Sequence, residues 1–330
     1  MMPLMPAWFA LLLGLPTVLA AAPTLPIRTI EDVPLPGDTS RFDYASVDPA
    51  RHRLYVAHLG ADEMVAYDTE HDRVTGVVRG LRQVHGVLAV PELGRVYATA
   101  TGSNEVVAID ADTLAVIART PTGRYPDGMA YASAARKLYV SNKLGDSDTV
   151  VDVRSHHVVT TIELGGEVGN TQYDPVLQHV FVNVQSRHQL VEIDPASDTI
   201  VGRYEVAGAQ GNHGLLLLPT QHLTLIACED NDTLLAFDLT SHAVLQHWRV
   251  GEGPDVLAMD ETQQRVYLAS ESGVVSVFGV KDRTLDKIGE SHLAPAAHVV
   301  AVDPVTHRLY FPLQNSAGRP VLRVAEPIIP

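Results

Sequence analysis

A short strand carrying an aliphatic or β-branched residue followed by a large apolar one returns seven times along this chain. The pairs are Leu54-Tyr55, Val96-Tyr97, Leu138-Tyr139, Val180-Phe181, Thr224-Leu225, Val266-Tyr267 and Leu309-Tyr310. Their second members stand 42, 42, 42, 44, 42 and 43 residues apart. An aspartate follows each of the first five by 13 residues: Asp68, Asp110, Asp152, Asp194 and Asp238. The last two units lack it, with Gly279 and Glu326 nearby. Two landmarks in one register over five units require equal structural repeats, and the fold must be built from them.

Each unit reads as four short strands. In residues 85–123 the runs His85–Val90, Arg95–Ala100, Glu105–Asp110 and Leu114–Thr120 are rich in Val, Ile and Tyr, and turn residues separate them. No stretch keeps a helical period. A period near 42 with four strands per unit predicts an all-β, seven-bladed β-propeller with four antiparallel strands per blade. The last unit ends at residues 320–325 without a fourth strand, whereas residues 27–37 form a strand without a unit. The N-terminal strand is therefore expected to close the last blade and remove two exposed edges.

The motifs Leu138-Tyr139-Val140-Ser141-Asn142 and Val106-Val107-Ala108-Ile109-Asp110 resemble the YVTN-repeat propeller family, which includes YncE-like periplasmic proteins and surface-layer-type domains. The resemblance covers nearly all of the chain beyond its first residues. It implies a propeller used for binding or scaffolding, and its repeat landmarks are structural residues that carry no catalytic role.

The first residues read as an export signal. An apolar run from Ala7 to Ala20 ends in Ala20-Ala21-Ala22 and is short for a membrane span of about 20 residues. We expect a cleaved segment 1–22, one propeller domain over 23–330, and a periplasmic or secreted monomer without a membrane span. Cys228 is the sole cysteine, so no internal disulfide or c-type haem is available. The net charge of −15 argues against nucleic acid and for cations.

Strand d-to-a and b-to-c connections of a propeller meet at one mouth of its central channel. The residue twelve before each repeat landmark opens strand a there: Asp43, His85, Asp127, Gly169, His213, Asp255 and His298. Six of the seven are His or Asp, the ligand types of a divalent transition metal such as zinc, copper, manganese or iron. The alternative is that each side chain ties its loop to the next blade. Asn170, beside the glycine exception, and His58, Asn142, His188, Glu229 and Glu271 of the b-to-c loops are further ligand-binding candidates, with Arg82 and Arg124 as anion holders. No G-x-S-x-G, P-loop or G-x-G-x-x-G is present. The expected function is recognition of a small molecule, metal or protein at the mouth. The alternative is a metal-dependent lactonase or lyase on the same ring, which requires a general base beside the ion.

Overall fold

The computed structural model describes residues 25–328, so the expected signal segment lies outside the described residues. Seven four-stranded antiparallel sheets follow one another around a central channel. Blade 2 is representative, with strand a at Val84–Val90, b at Arg95–Ala100, c at Glu105–Asp110 and d at Val116–Pro121. Strand a is innermost, and the a strands of successive blades touch in cyclic order, the last against the first. Among the described residues no helix is long and apolar enough to cross a membrane.

The repeated dipeptide has a direct packing cause. Side chains alternate across a strand with a period of two, and every blade is covered on both faces. Leu54 packs in the core between blades 7 and 1 while Tyr55 packs in that between blades 1 and 2. Val96 and Tyr97 divide likewise between the cores on either side of blade 2, and Leu309 and Tyr310 between those flanking blade 7. Seven apolar clusters result, one per interface. Cys228 lies inside the cluster between blades 4 and 5, and burial pushes its thiol pKa up to about 12, which makes it inert.

The aspartate landmark is a turn device. Asp110 Oδ1 accepts the backbone N–H of Asp112 and Thr113 at 3.2 and 2.8 Å, opening the c-to-d turn. Asp152 repeats this with Arg154 and Ser155 at 3.0 and 2.8 Å. These short-range bonds offer the chain a turn in place of continued strand, and they hold both carboxyls below their usual range.

Blade 7 is composite, as expected. Its sheet runs Ala301–Val302, Leu309–Ser316, Arg319–Pro327 and then Ile27–Pro34. The closing pair is antiparallel, from Ile27 opposite Pro327 to Pro34 opposite Val321. Arg323 holds Asp32 with both guanidinium arms, at 2.8 and 2.7 Å. Removing residues 27–34 leaves Arg319–Pro327 as an open edge. The truncated protein is expected to associate on size-exclusion chromatography and to lose the single cooperative melt of the full chain. A monomeric truncation melting at the unchanged temperature would refute closure as the stabilising element.

Candidate functional site

In blades 2 to 5 the ring positions owe their aim to an irregularity in strand a. In blade 2, Val84 pairs with Ala100 but Val87 pairs with Ala98, so His85 and Gly86 oppose a single residue. The same shift occurs at Pro126/Met129, Val168/Thr171 and Asn212/Leu215. A bulge re-aims a side chain and bends its strand, here toward the channel. Crowding at the hub sets the residue types beside it. A Cβ on Gly214 would stand 2.2 Å from the Asp255 carbonyl oxygen, and one on Gly169 would stand 2.8 Å from that of His213. Blade 4 therefore has glycine in the ring column because His213 fills the space.

A cavity of 480 Å³ opens at the mouth. Asp43, His85, Asp127, His213 and Asp255 of the ring line it, as do Glu229 and Glu271. His298 is buried behind this wall, with Nδ1 2.9 Å from the Ala296 carbonyl and 3.7 Å from Glu271 Oε2. The remaining candidates are elsewhere. His58 stacks on Phe42 with ring centres 4.1 Å apart and meets Ser40. Asn142 is buried and donates to Ser147 and Thr149 within its own blade. Arg124 donates to the Leu144 carbonyl. Arg82 and His188 are exposed outside the lining, and His188 takes the left-handed position that ends its b-to-c turn, with φ 54°.

Residues outside the expected set complete the cavity: Arg41, Tyr44, Gln83, Tyr125 and Lys143. Two further columns of the repeat contain most of them. The first residue after strand b is Leu59, Thr101, Lys143, Gln185, Glu229 or Glu271 in the first six blades, and four of these line the cavity. The residue two before the ring position is Arg41, Gln83, Tyr125 or Gly253 in four blades that line it. Gln83, Tyr125 and Gly253 have positive φ, 48°, 61° and 59°, which turns the chain into strand a.

His213 is the most constrained group of the site. Gln185 donates its amide nitrogen to Glu167 at 2.6 Å, which leaves its oxygen facing His213 Nδ1 at 2.9 Å. Nδ1 must then carry the ring proton, and in the neutral ring Nε2 is an acceptor. Nε2 stands 3.8 Å from Asp255 and 4.0 Å from both Asp127 and Glu229. The nearest hydroxyl, Tyr44 at 3.3 Å, gives its single proton to Asn170 Oδ1 at 2.7 Å. His213, Glu229 and Asp255 offer one ligand atom each within 4.8 Å of one another. Asp127 adds a buried oxygen, Oδ1, without a hydrogen-bond partner. A second group, Asp255, Glu271 and His298, meets the same distance limit. It already holds a cation, since Arg41 grips both oxygens of Glu271 at 3.0 and 2.6 Å and lies 4.0 Å from Asp255.

Burial dominates the titration of the ring. Desolvation, reinforced by neighbouring carboxylates, pushes Asp43 and Asp255 well above the usual carboxylate range. Desolvation pushes His85, His213 and His298 below the usual histidine range. Burial also works against ionised Glu271, but the Arg41 fork outweighs it and holds that carboxyl low. His85 donates Nδ1 to the Gln83 carbonyl at 2.9 Å, and its Nε2 accepts the Tyr125 hydroxyl at 3.0 Å.

No family model matches the chain. Two curated proteins, each described as "Uncharacterized protein YncE", one from Salmonella typhi and one from Salmonella typhimurium, are 30% identical to it over 98 residues. That segment is 30% of this chain and spans only 28% of the relatives' length. Among solved structures the chain resembles U3-55K at 12% identity and TM-score 0.76, covering 92% of this chain and 100% of that one. It resembles the Kuenenia stuttgartiensis hydrazine synthase at 14% and 0.72, covering 94% and 98%. It resembles the RRP9 WD40 repeats at 13% and 0.76, covering 93% and 99%. Likeness at this identity is of fold alone.

The raised carboxyl of Asp43 has a measurable consequence. Between its ordinary value near 4 and its raised folded value, the folded state binds more protons than the unfolded one, so stability falls as pH rises through that window. Asp43→Asn keeps the neutral shape and removes the titration. The melting temperature of the variant is expected to match the parent near pH 4 and to exceed it increasingly toward pH 9. A difference that stays constant with pH would show that Asp43 is not held neutral.

Proposed function

We propose that the chain is an exported binding propeller that holds a divalent transition metal ion at its channel mouth and presents it to a small-molecule or protein ligand. His213, Glu229 and Asp255 are the metal ligands, and Asp127 faces the same space. The observation that carries this reading is the acceptor nitrogen of His213, fixed by Gln185 and aimed at carboxylates 3.8–4.0 Å away. Asp255, which burial holds toward its protonated form, would ionise on binding a metal, and the ion would then share the His213 lone pair with Glu229 and Asp127. Burial opposes a proton there, so a metal ion is the better counter-charge. Metal–ligand bonds of about 2.1 Å give tetrahedral edges near 3.4 Å, so the His213 edges to Asp255 and Glu229 must contract by about half an ångström. Five carboxylates line the cavity against the cations Arg41 and Lys143, which further favours a dication.

The catalytic alternative, a metal-dependent lactonase or lyase, needs a free base beside the ion. His85, the lining imidazole outside the cluster, has both nitrogens engaged, which leaves the unpartnered Asp127 Oδ1 as the candidate base. Binding is the reading favoured here because it requires the cluster alone. The propeller fold and the 98-residue similarity to YncE support membership of the same family and an exported location. The acidic balance supports the absence of nucleic acid among its partners.

Elemental analysis of the protein purified from its export compartment, with zinc, copper and manganese titrations of the metal-free form, tests the proposal. One equivalent is expected to bind, and the double variant His213→Ala, Asp255→Asn is expected to lose binding without losing its fold. Equal weak binding by both proteins, with a large drop in melting temperature for the variant, would assign the ring to blade-tying instead.

A further inference from the structure

Tyr44 follows Asp43 in blade 1, yet its hydroxyl reaches the opposite side of the channel. It donates to Asn170 of blade 4 at 2.7 Å and stands 3.3 Å from Nε2 of His213 in blade 5. Tyr44 lines both the mouth cavity and the 530 Å³ cavity below it. Its side chain thus floors the one and roofs the other. Around His213 Nε2 its oxygen is nearer than any carboxylate, at 3.3 Å against 3.8–4.0 Å. That separation already matches the edge of about 3.4 Å between two donors on one metal ion with bonds near 2.1 Å. The hydroxyl hydrogen points to Asn170, so an oxygen lone pair is free to face the ion. Burial, reinforced by Asp127, Asp255 and Asp43, holds the phenol pKa well above its ordinary value, so its ionisation requires the charge of a bound metal.

We propose that Tyr44 is a further ligand of the mouth metal, binding as a phenolate beside His213, Glu229 and Asp255, an inference that rests on the metal reading above. On coordination the O–H bond breaks, the proton leaves to solvent and the oxygen pair goes to the metal. Asn170 makes no other side-chain hydrogen bond among the described residues, so its amide can turn and donate Nδ2 to the phenolate. The donor set is then imidazole, carboxylate and phenolate, without sulfur. Hard oxygen donors with one imidazole suit ferric or cupric ions. The channel floor becomes part of the metal centre.

Phenolate bound to either ion gives a visible charge-transfer band, which carboxylate and imidazole do not. The experiment loads metal-free protein with ferric nitrilotriacetate, copper(II) or zinc(II), and records visible absorption, resonance Raman spectra and stoichiometry. The full chain is expected to show the band with tyrosinate Raman modes when loaded with iron or copper. Tyr44→Phe should lose both while still binding one equivalent of zinc. Tyr125→Phe, which alters the other lining tyrosine, should retain both. Metal binding by the parent without band or tyrosinate modes overturns the role of Tyr44 and leaves the metal site standing. The absence of bound metal from all forms overturns the metal reading, and this inference with it. If Tyr44→Phe fails to fold, the parent spectrum and Tyr125→Phe still decide. Loss of the tyrosinate modes in Tyr125→Phe would overturn the assignment to Tyr44.

Discussion

The pairing of Ile27–Pro34 with Arg319–Pro327 is the interaction on which the rest of the molecule depends. Every apolar cluster lies between two blades, so no blade completes its own core. Without closure, blades 7 and 1 would each leave a face to water. The closing strand also delivers the site. Directly beyond it Leu35 donates its backbone N–H to Pro320 at 3.1 Å, and Leu35 and Phe42 enter the core between blades 7 and 1. Anchored there, the chain brings Arg41, Asp43 and Tyr44 to the mouth. The segment directly after the strand that seals the ring thus supplies three of the groups that face the cavity.

Convergence at the hub explains why polar groups gather there under strain. Strand a of each blade approaches its neighbours until a Cβ on Gly214 would meet the Asp255 carbonyl. The bulges in blades 2, 3 and 5 turn His85, Asp127 and His213 inward. The five ring side chains that line the cavity cannot be water-solvated independently, and they interact across a low-dielectric wall. The outcome is a mixture of protonation states: Asp43 and Asp255 pushed toward neutrality, Glu271 kept ionised by Arg41, histidines kept neutral. Like charges placed this close persist only where a cation shares the space, and Arg41 is such a cation in one half of the mouth.

Much of this was legible in the sequence, for a physical reason. Two-sided burial repeats the same demand in each blade, so the Leu/Val-Tyr pairs and the turn aspartates recur in register, and the orphan strand at residues 27–37 follows from counting. The ring column was legible too, because the same bulge recurs. What a column cannot show is the direction and reach of a side chain. His298 occupies the column but lies behind the wall, while Tyr44, one residue off it, crosses the whole channel. His58 and Asn142 fell among the loop candidates but belong to the last residue of strand b, which points into the blade. One position later, Lys143, Gln185, Glu229 and Glu271 share the column that faces the mouth or supports its histidine. Arg41 was invisible because its partner Glu271 is 230 residues away.

The division of the channel by Tyr44 gives the mouth its chemical character. Below it the channel wall mixes apolar side chains such as Val87, Met129 and Leu215 with Thr171, Gln172 and Glu261. Above it stand the carboxylates, His213 and the two cations. Burial of the cluster between the blades lowers the local dielectric and strengthens each charge interaction within it. Tyr44 stands between the two cavities with its hydroxyl held by Asn170, so the position of that hydroxyl shapes both the cavity floor and the electrostatic environment of His213.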